Sequence, residues 1–330
     1  MNARAPVPVP SEAASFFGEH HRFLVSTHVN PDGDGIGSVL ALKWAAVAMG
    51  KEAEIMIDSQ PPETFGFFEN YDWIRAWDSG AAVEKKFSAV ITSDSPNLER
   101  LGRPAELIAE GASILNIDHH VSNERFGAVN YIDPLASSSS EMVYYLIKKA
   151  LGLTIDAACA EYLYAGILTD TGRFRFSNTS PDALRAASEL VEAGARPHKV
   201  AEMMYYNNTL ETTMALARLL GSIRIHFGGR VAVSQFELDY IKSDAWKKVD
   251  TEGFVNYPLA IRGVEVAMLL REVEPGVTRA SLRSKDDFDV NELALVFGGG
   301  GHAKAAGLTI RAPLEEAKKK LLDELGRRLG

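Results

Sequence analysis

The stretch HVNPDGDGIGS, His28 to Ser38, decides how this chain is read. It follows the apolar run RFLVST and sets one histidine and two aspartates among glycines and a proline. Asp32 and Asp34 are close enough to repel each other, so a positive group is expected between or beside them. A dinucleotide-binding loop would offer backbone N–H groups to a phosphate, but two carboxylates in the same turn oppose that, and the glycine spacing differs. An EF-hand counted from Asn30 puts Ala41 where the bidentate glutamate is required. Taken alone, the stretch is either an acidic ligand loop or a surface turn rich in Asp and Gly.

Working outward, RFLVSTH reads as a buried strand, and IGSVLALKWAAVAMG after it has apolar residues at helical spacing: Ile36, Val39, Leu40 and Val47. AEIMID, FSAVITSD and SILNIDHH are further short apolar runs, separated by segments long enough for helices. That alternation predicts an α/β domain, a doubly wound, mostly parallel sheet covered on both faces. Ligands bind such sheets beyond the carboxyl ends of the strands. The polar clusters stand there: His28 to Asp34 after the first run, Asp94 after the third, Asp118 to His120 after the fourth. Ser137 to Ser140 read as a helix start with a capping box to Glu141, and Ala157 to Leu168 as a helix ending at TDTG, which carries Asp170.

HKVAEMMYYNNTLETTMALARLLG reads as one long helical connector, and the texture changes after Gly221. A hairpin turning at Gly228 and Gly229, strands in VEVAMLLREV, VTRASLRSK and GLTIRA, and helices in NELALVF and the last residues predict a second, smaller α+β domain. The expected division is 1–200, a helical connector over 201–220, and 221–330.

The 330 residues exceed one usual core, and 46% hydrophobic with 24% charged residues is an ordinary globular balance. No apolar stretch approaches the roughly 18 residues of a membrane span, and MNARAPVPVPSEAASFF has no apolar signal core, so a cytoplasmic protein without a membrane partner is expected. The single cysteine, Cys159, fits a reducing compartment. A net charge of −9 argues against a grip on long nucleic acid but leaves room for a short anionic substrate held by local cations.

His28, Asp32, Asp34, Asp94, Asp118, His119, His120 and Asp170 all fall at the ends of apolar elements, where such a sheet would gather them. Carboxylates and imidazoles without thiolate suit Mn²⁺, or Mg²⁺, better than structural zinc. So acidic a set would hold two divalent ions, roughly 4 Å apart if a carboxylate bridges them.

The order HVNPDGDGIGS, then TSD, then DHH, then TDTG resembles the DHH phosphoesterase superfamily, and GGGGHAKAAG preceded by ASLRS resembles its DHH-associated domain. Two such domains alone are similar to the nanoRNase/pAp-phosphatase group, which removes nucleotides from very short oligonucleotides and dephosphorylates adenosine bisphosphate. The resemblance implies one metal on His28, Asp32 and Asp94 and another on Asp34, Asp94, His119 and Asp170. It places His120 toward the phosphate or leaving group and makes Asp118 the orienter of a neighbouring histidine.

In the second domain Gly300 and Gly301 could close backbone N–H groups on an anion, with His302 and Arg283 binding phosphate or stacking on a base. Arg100 and Arg103 follow a metal motif and are further substrate candidates. The reaction implied is metal-assisted hydrolysis of a phosphoester, with the smaller domain closing over the substrate. The neighbouring reading is the same chemistry on cyclic di-AMP or linear pApA, and one of another class is a metal- or nucleotide-binding module without catalysis. A homodimer is an allowed assembly.

Overall fold

The computed structural model describes residues 8–77, 86–249, 251, 253–285 and 288–329. Residues 1–7 of the stretch read above for export signals lie outside the described residues. The chain forms two compact units, Met1–Asn207 and Asn208–Gly330.

The first unit runs α1 (Ser11–Glu19), β1 (Arg22–Ser26), α2 (Gly33–Ala48), β2 (Glu52–Ile57), β3 (Ile74–Ala76), β4 (Phe87–Ser93), β5 (Ile108–Asp118), β6 (Val129–Ile132), α3 (Ser139–Tyr145), α4 (Ala157–Asp170), α5 (Pro181–Glu192) and α6 (Pro197–Tyr205). Its six strands pair in parallel in the order β3-β2-β1-β4-β5-β6. β1 lies between β2 and β4, so the chain leaves it on one side and returns on the other. Helix-covered sheets open a crevice at the carboxyl ends at such a reversal.

Both sheet faces are buried, which is why the strands read as near-continuous apolar runs. Phe23, Val25, Ile55, Ile91 and Ile117 pack with α2, α3 and α4 in the large core, while Leu24, Met56, Val90 and Ile114 form a second, smaller core. The helices expected between the second and third runs and between the third and fourth are absent among the described residues. Short 3₁₀ turns stand there instead, at Glu63–Phe65, Tyr71–Trp73, Glu99–Leu101 and Arg103–Leu107. Strands β3 and β6, of three and four residues, were not read from sequence because runs so short carry no period.

The second unit comprises α7 (Leu210–Ser222), β7 (Arg224–His226), β8 (Val231–Phe236), α8 (Leu238–Ile241), α9 (Asn256–Leu259), β9 (Val266–Glu274), β10 (Val277–Ser284), α10 (Val290–Val296), β11 (Gly300–His302), β12 (Ala305–Ile310) and α11 (Leu314–Leu329). Its sheet order is β11-β12-β10-β9-β8-β7, antiparallel except for β8 beside β9. The long connector helix is in fact two, α6 and α7, because Thr209 caps a new helix by accepting the Thr212 N–H. The glycine run is not simply a loop. Gly300 to His302 form the edge strand β11, and Gly301 must be glycine, since at φ +151° a Cβ would stand 2.4 Å from the Ala305 carbonyl oxygen. No helix among the described residues is long and apolar enough to cross a membrane.

Candidate metal centre

Strand register builds the floor of the site. Ser26 pairs with Thr92 and Ser93 with Ile117, so the chain emerges from three adjacent strands at His28, Asp94 and Asp118. His28 Nε2 lies 3.3 Å from Asp94 Oδ2. Asp94 takes a left-handed conformation, φ 55°, that aspartate tolerates better than most side chains, and its N–H donates to the Ile117 carbonyl at 3.0 Å.

Two helix ends supply the rest. Asp32 caps α2, its Oδ1 accepting the N–H groups of Asp34 and Gly35 at 3.0 and 3.2 Å. Asp34 is fully buried, and its two oxygens accept the N–H groups of Ser139 and Ser140 at the start of α3, at 2.7 and 2.8 Å. The serine run is therefore a receptor for Asp34 as well as a helix start. Ser138 Oγ accepts the Glu141 N–H at 3.0 Å, while the Glu141 carboxylate turns back to the Ser137 N–H at 2.8 Å.

The glycines of the opening stretch let α2 approach α4. A Cβ on Gly37 would sit 2.4 Å from the Tyr162 carbonyl oxygen, and one on Gly166 would sit 2.0 Å from Ser140 Oγ and 2.9 Å from Asp34 Oδ1. That close packing brings Asp170, at the last position of α4, to 3.1 Å from His119 Nε2. The repulsion between Asp32 and Asp34 is thus managed by helix N–H groups and imidazoles, and the surface-turn reading is excluded by the burial of Asp34 and by the start of α2 at Gly33.

Ligand-capable atoms converge in overlapping groups: His28, Asp32 and Asp94; Asp34, Asp94 and His119; Asp94, Asp118 and His120, with all such atoms in each group within 4.8 Å of one another. Asp94 belongs to all three. The clustered carboxylates and imidazoles shift one another's titration. Burial, then the neighbouring Asp94 and Asp170, push the Asp34 carboxyl well above its ordinary value, and burial with the same two neighbours raises Asp32.

Burial opposes charge on His28, yet the hydrogen bond and charge of Asp94 prevail and hold it at about 9. His119 is raised well above its usual value against burial by Asp170 and Asp94. Asp94, despite burial, is held well below the carboxylate range by His119 and His28. A divalent ion would supply positive charge to so acidic a buried set, and an oxygen and imidazole donor set without sulfur fits Mn²⁺ or Mg²⁺.

His120 and Asp118 are arranged differently from the rest. Asp118 Oδ1 accepts the His120 Nδ1–H at 2.7 Å and the His119 N–H at 2.9 Å, and its Oδ2 accepts from Asn123 Nδ2 at 2.6 Å. Asn123 also donates to Asn116 Oδ1 at 2.8 Å, and Asn116 Nδ2 donates to Thr92 Oγ1 at 2.9 Å. Sequence reading missed Asn116 and Asn123. The signal was present in DHHVSN, an amide three residues beyond the histidines, but only the fold shows what it holds.

The arginine candidates separate. Arg103 is engaged by Asp58, Nε to Oδ1 at 2.9 Å and Nη2 to the carbonyl at 2.8 Å, so its guanidinium secures the end of β2. Arg100 is exposed, and its backbone accepts the Val29 N–H at 2.7 Å, which ties its turn to the residue after His28. In the second unit Arg283 pairs with Ala305, and Ala305 with His302, so both side chains stand on one sheet face. Gly300 and Gly301 are exposed on the same edge strand.

A parallel sheet with an acidic, histidine-containing centre at its strand reversal, followed by an antiparallel-rich unit, defines a two-domain metal-dependent phosphoesterase. The chain belongs to the DHH family: the DHH family N-terminal domain matches residues 22–167 and the DHHA1 domain residues 228–330. It is 34% identical over 305 residues to the bifunctional oligoribonuclease and PAP phosphatase NrnA of Thermus thermophilus, covering 91% of this chain and 87% of that protein. Its identity to the protein of the same description from Bacillus subtilis is 31%, over 91% of this chain and 92% of that one. An exopolyphosphatase-related protein of Bacteroides fragilis, 25% identical, superposes with a TM-score of 0.88 over 97% of both chains.

Proposed function

We propose that the protein hydrolyses short oligoribonucleotides and adenosine bisphosphate with two divalent ions, Mn²⁺ by preference. The observation that carries this reading is Asp94: one buried carboxylate shared by a His28/Asp32 set and an Asp34/His119 set, with Asp170 against His119. His28, Asp32 and Asp94 would hold one ion and Asp34, Asp94, His119 and Asp170 the other. Bound there, the ions would lower the pKa of a water and offset charge on the phosphoryl group.

The chain's own residues do the remainder. Asp118, fixed by Asn123, accepts the His120 Nδ1–H and so keeps the opposite nitrogen, Nε2, for the leaving oxygen, where it delivers a proton. Asp118 also stabilises the protonated ring. The N–H groups at the start of α3 keep the Asp34 carboxylate from rotating away from the centre. In the second unit, Arg283, His302 and the exposed Gly300 and Gly301 are proposed to grip the rest of the substrate.

The test is turnover of a diribonucleotide, adenosine bisphosphate and cyclic di-AMP, side by side, by chelator-treated protein resupplied with Mn²⁺ or Mg²⁺. Hydrolysis of the first two that requires added metal supports the proposal. Undiminished turnover in chelator, or preference for cyclic di-AMP, refutes it.

A further inference from the structure

The sheet of the second unit carries two arginines that the grip described above does not use. Arg271 on β9 pairs directly with Arg279 on β10, and both share a face with Ser281, Arg283 and, through β12, His302. The opposite face, with Ala280, Leu282, Ala306 and Leu308, is buried in that unit's own core. Like charges placed directly opposite repel, and nothing described offsets these two: among the described residues no carboxylate pairs with Arg271 or Arg279. Asp250 and Glu252, which flank Thr251 in sequence, lie outside the described residues.

The Arg271 guanidinium is held in place rather than loose. Its Nη1 donates to Thr251 Oγ1 at 2.8 Å, its Nη2 reaches Ser281 Oγ at 3.4 Å, and its Nε is buried without a hydrogen-bond partner. Burial, and then Arg279, pull it below the usual arginine value. A guanidinium has five N–H donors, and the Thr251 and Ser281 hydroxyls engage only two of them. Arg279 across from it is exposed. A partly buried arginine with no carboxylate partner among the described residues, facing a second and accessible one, suits an anion with several acceptor oxygens.

We propose that Arg271 and Arg279, with the Ser281 hydroxyl beside them, bind a phosphate group of the oligonucleotide lying beyond the part held by Arg283. The proposal rests on the reading of this unit as a substrate grip. Arg279 and Arg283 are four residues apart on β10, about 13 Å along a strand. That spacing suits phosphates separated by more than one nucleotide step of an oligonucleotide better than two phosphates on one ribose. The pair therefore acts on substrate length, favouring a trinucleotide over adenosine bisphosphate.

The test is isothermal titration of a triribonucleotide and of adenosine bisphosphate, with metal chelated, into wild type, Arg279→Gln and Arg271→Gln. The ratio of trinucleotide to bisphosphate affinity should fall about tenfold in Arg279→Gln, the loss of one charge-assisted contact. Because Arg279 is exposed, its variant stays informative even where Arg271→Gln unfolds. A ratio within about twofold of wild type in Arg279→Gln overturns the subsite. Turnover with metal, run on the same samples, tests the hydrolase reading separately.

Discussion

Replacing Gly37 by alanine should damage the metal centre without touching any proposed ligand. Gly37 lies in α2, three residues after Asp34, where its Cα faces the backbone of α4. The added methyl would stand 2.4 Å from the Tyr162 carbonyl oxygen and 3.2 Å from its carbon. The obstacle is backbone within a helix, so no side-chain rotation relieves it, and the two helices must separate by several tenths of an ångström. Overpacking of this kind costs about 1–3 kcal/mol, while the better helix propensity of alanine returns about 1 kcal/mol.

A net loss of up to about 2 kcal/mol corresponds to a fall in Tm of up to about 8 °C for a unit of this size. The larger effect falls on chemistry. α2 carries Asp32 and Asp34, α4 carries Asp170, and opening their contact misplaces the two carboxylate sets relative to each other. Displacements approaching 1 Å cost about 10²-fold in rate. Metal titration, kcat and thermal melts on Gly37→Ala check this. Gly18→Ala in α1, where a Cβ meets nothing within 4 Å, serves as control and should be neutral or slightly stabilising. Wild-type metal affinity and kcat in Gly37→Ala would refute the argument that the glycines exist for this approach.

Further outcomes follow from the same geometry. Asp94→Ala should lose metal and activity together, since Asp94 is shared by the His28/Asp32, Asp34/His119 and Asp118/His120 groups; metal analysis and kcat on one preparation decide it. Asn123→Ala should keep its metal while kcat falls about tenfold or more, because it releases Asp118 and thereby His120, and Asn123→Asp should not restore it, since a second carboxylate would face the first. Turnover should be highest for about two to four nucleotides and drop for longer RNA, as a net charge of −9 provides no cationic track; a length series measures it.

The Arg103 hydrogen bonds hold the Asp58 carboxyl below its ordinary value. A depressed folded pKa contributes stability that is complete above the unfolded value, about 3.9, and is lost as pH falls through the lower folded value. Asp58→Asn should therefore flatten the acid dependence of Tm below about pH 4.

Some of this was fixed by local chemistry and so could be read along the chain. Strands buried on both faces must be continuous apolar runs, which made β1, β2, β4 and β5 visible, and ligands at strand ends in a parallel sheet made His28, Asp94 and Asp118 to His120 legible as one cluster. A serine cap follows from a short polar side chain before a helix, so Ser138 announced α3, while α2 was visible from its apolar spacing. Tertiary structure alone decided the rest, because it depends on register and close approach between distant segments.

Nothing local to Ser139 and Ser140 says that their N–H groups close on Asp34, more than a hundred residues away. Nor does anything near Asn123 reveal that its amide holds the carboxylate on which His120 depends. Arg103 shows the same limit from the other side: its position after a metal motif suggested substrate, and the fold spends its guanidinium on Asp58. The glycine run Gly298 to Gly301 was read in sequence as backbone able to close on an anion, yet only pairing with β12 makes part of it a strand. Residue type sets what a side chain can do; which partner it meets is set by the strand order and by how closely α2 and α4 approach.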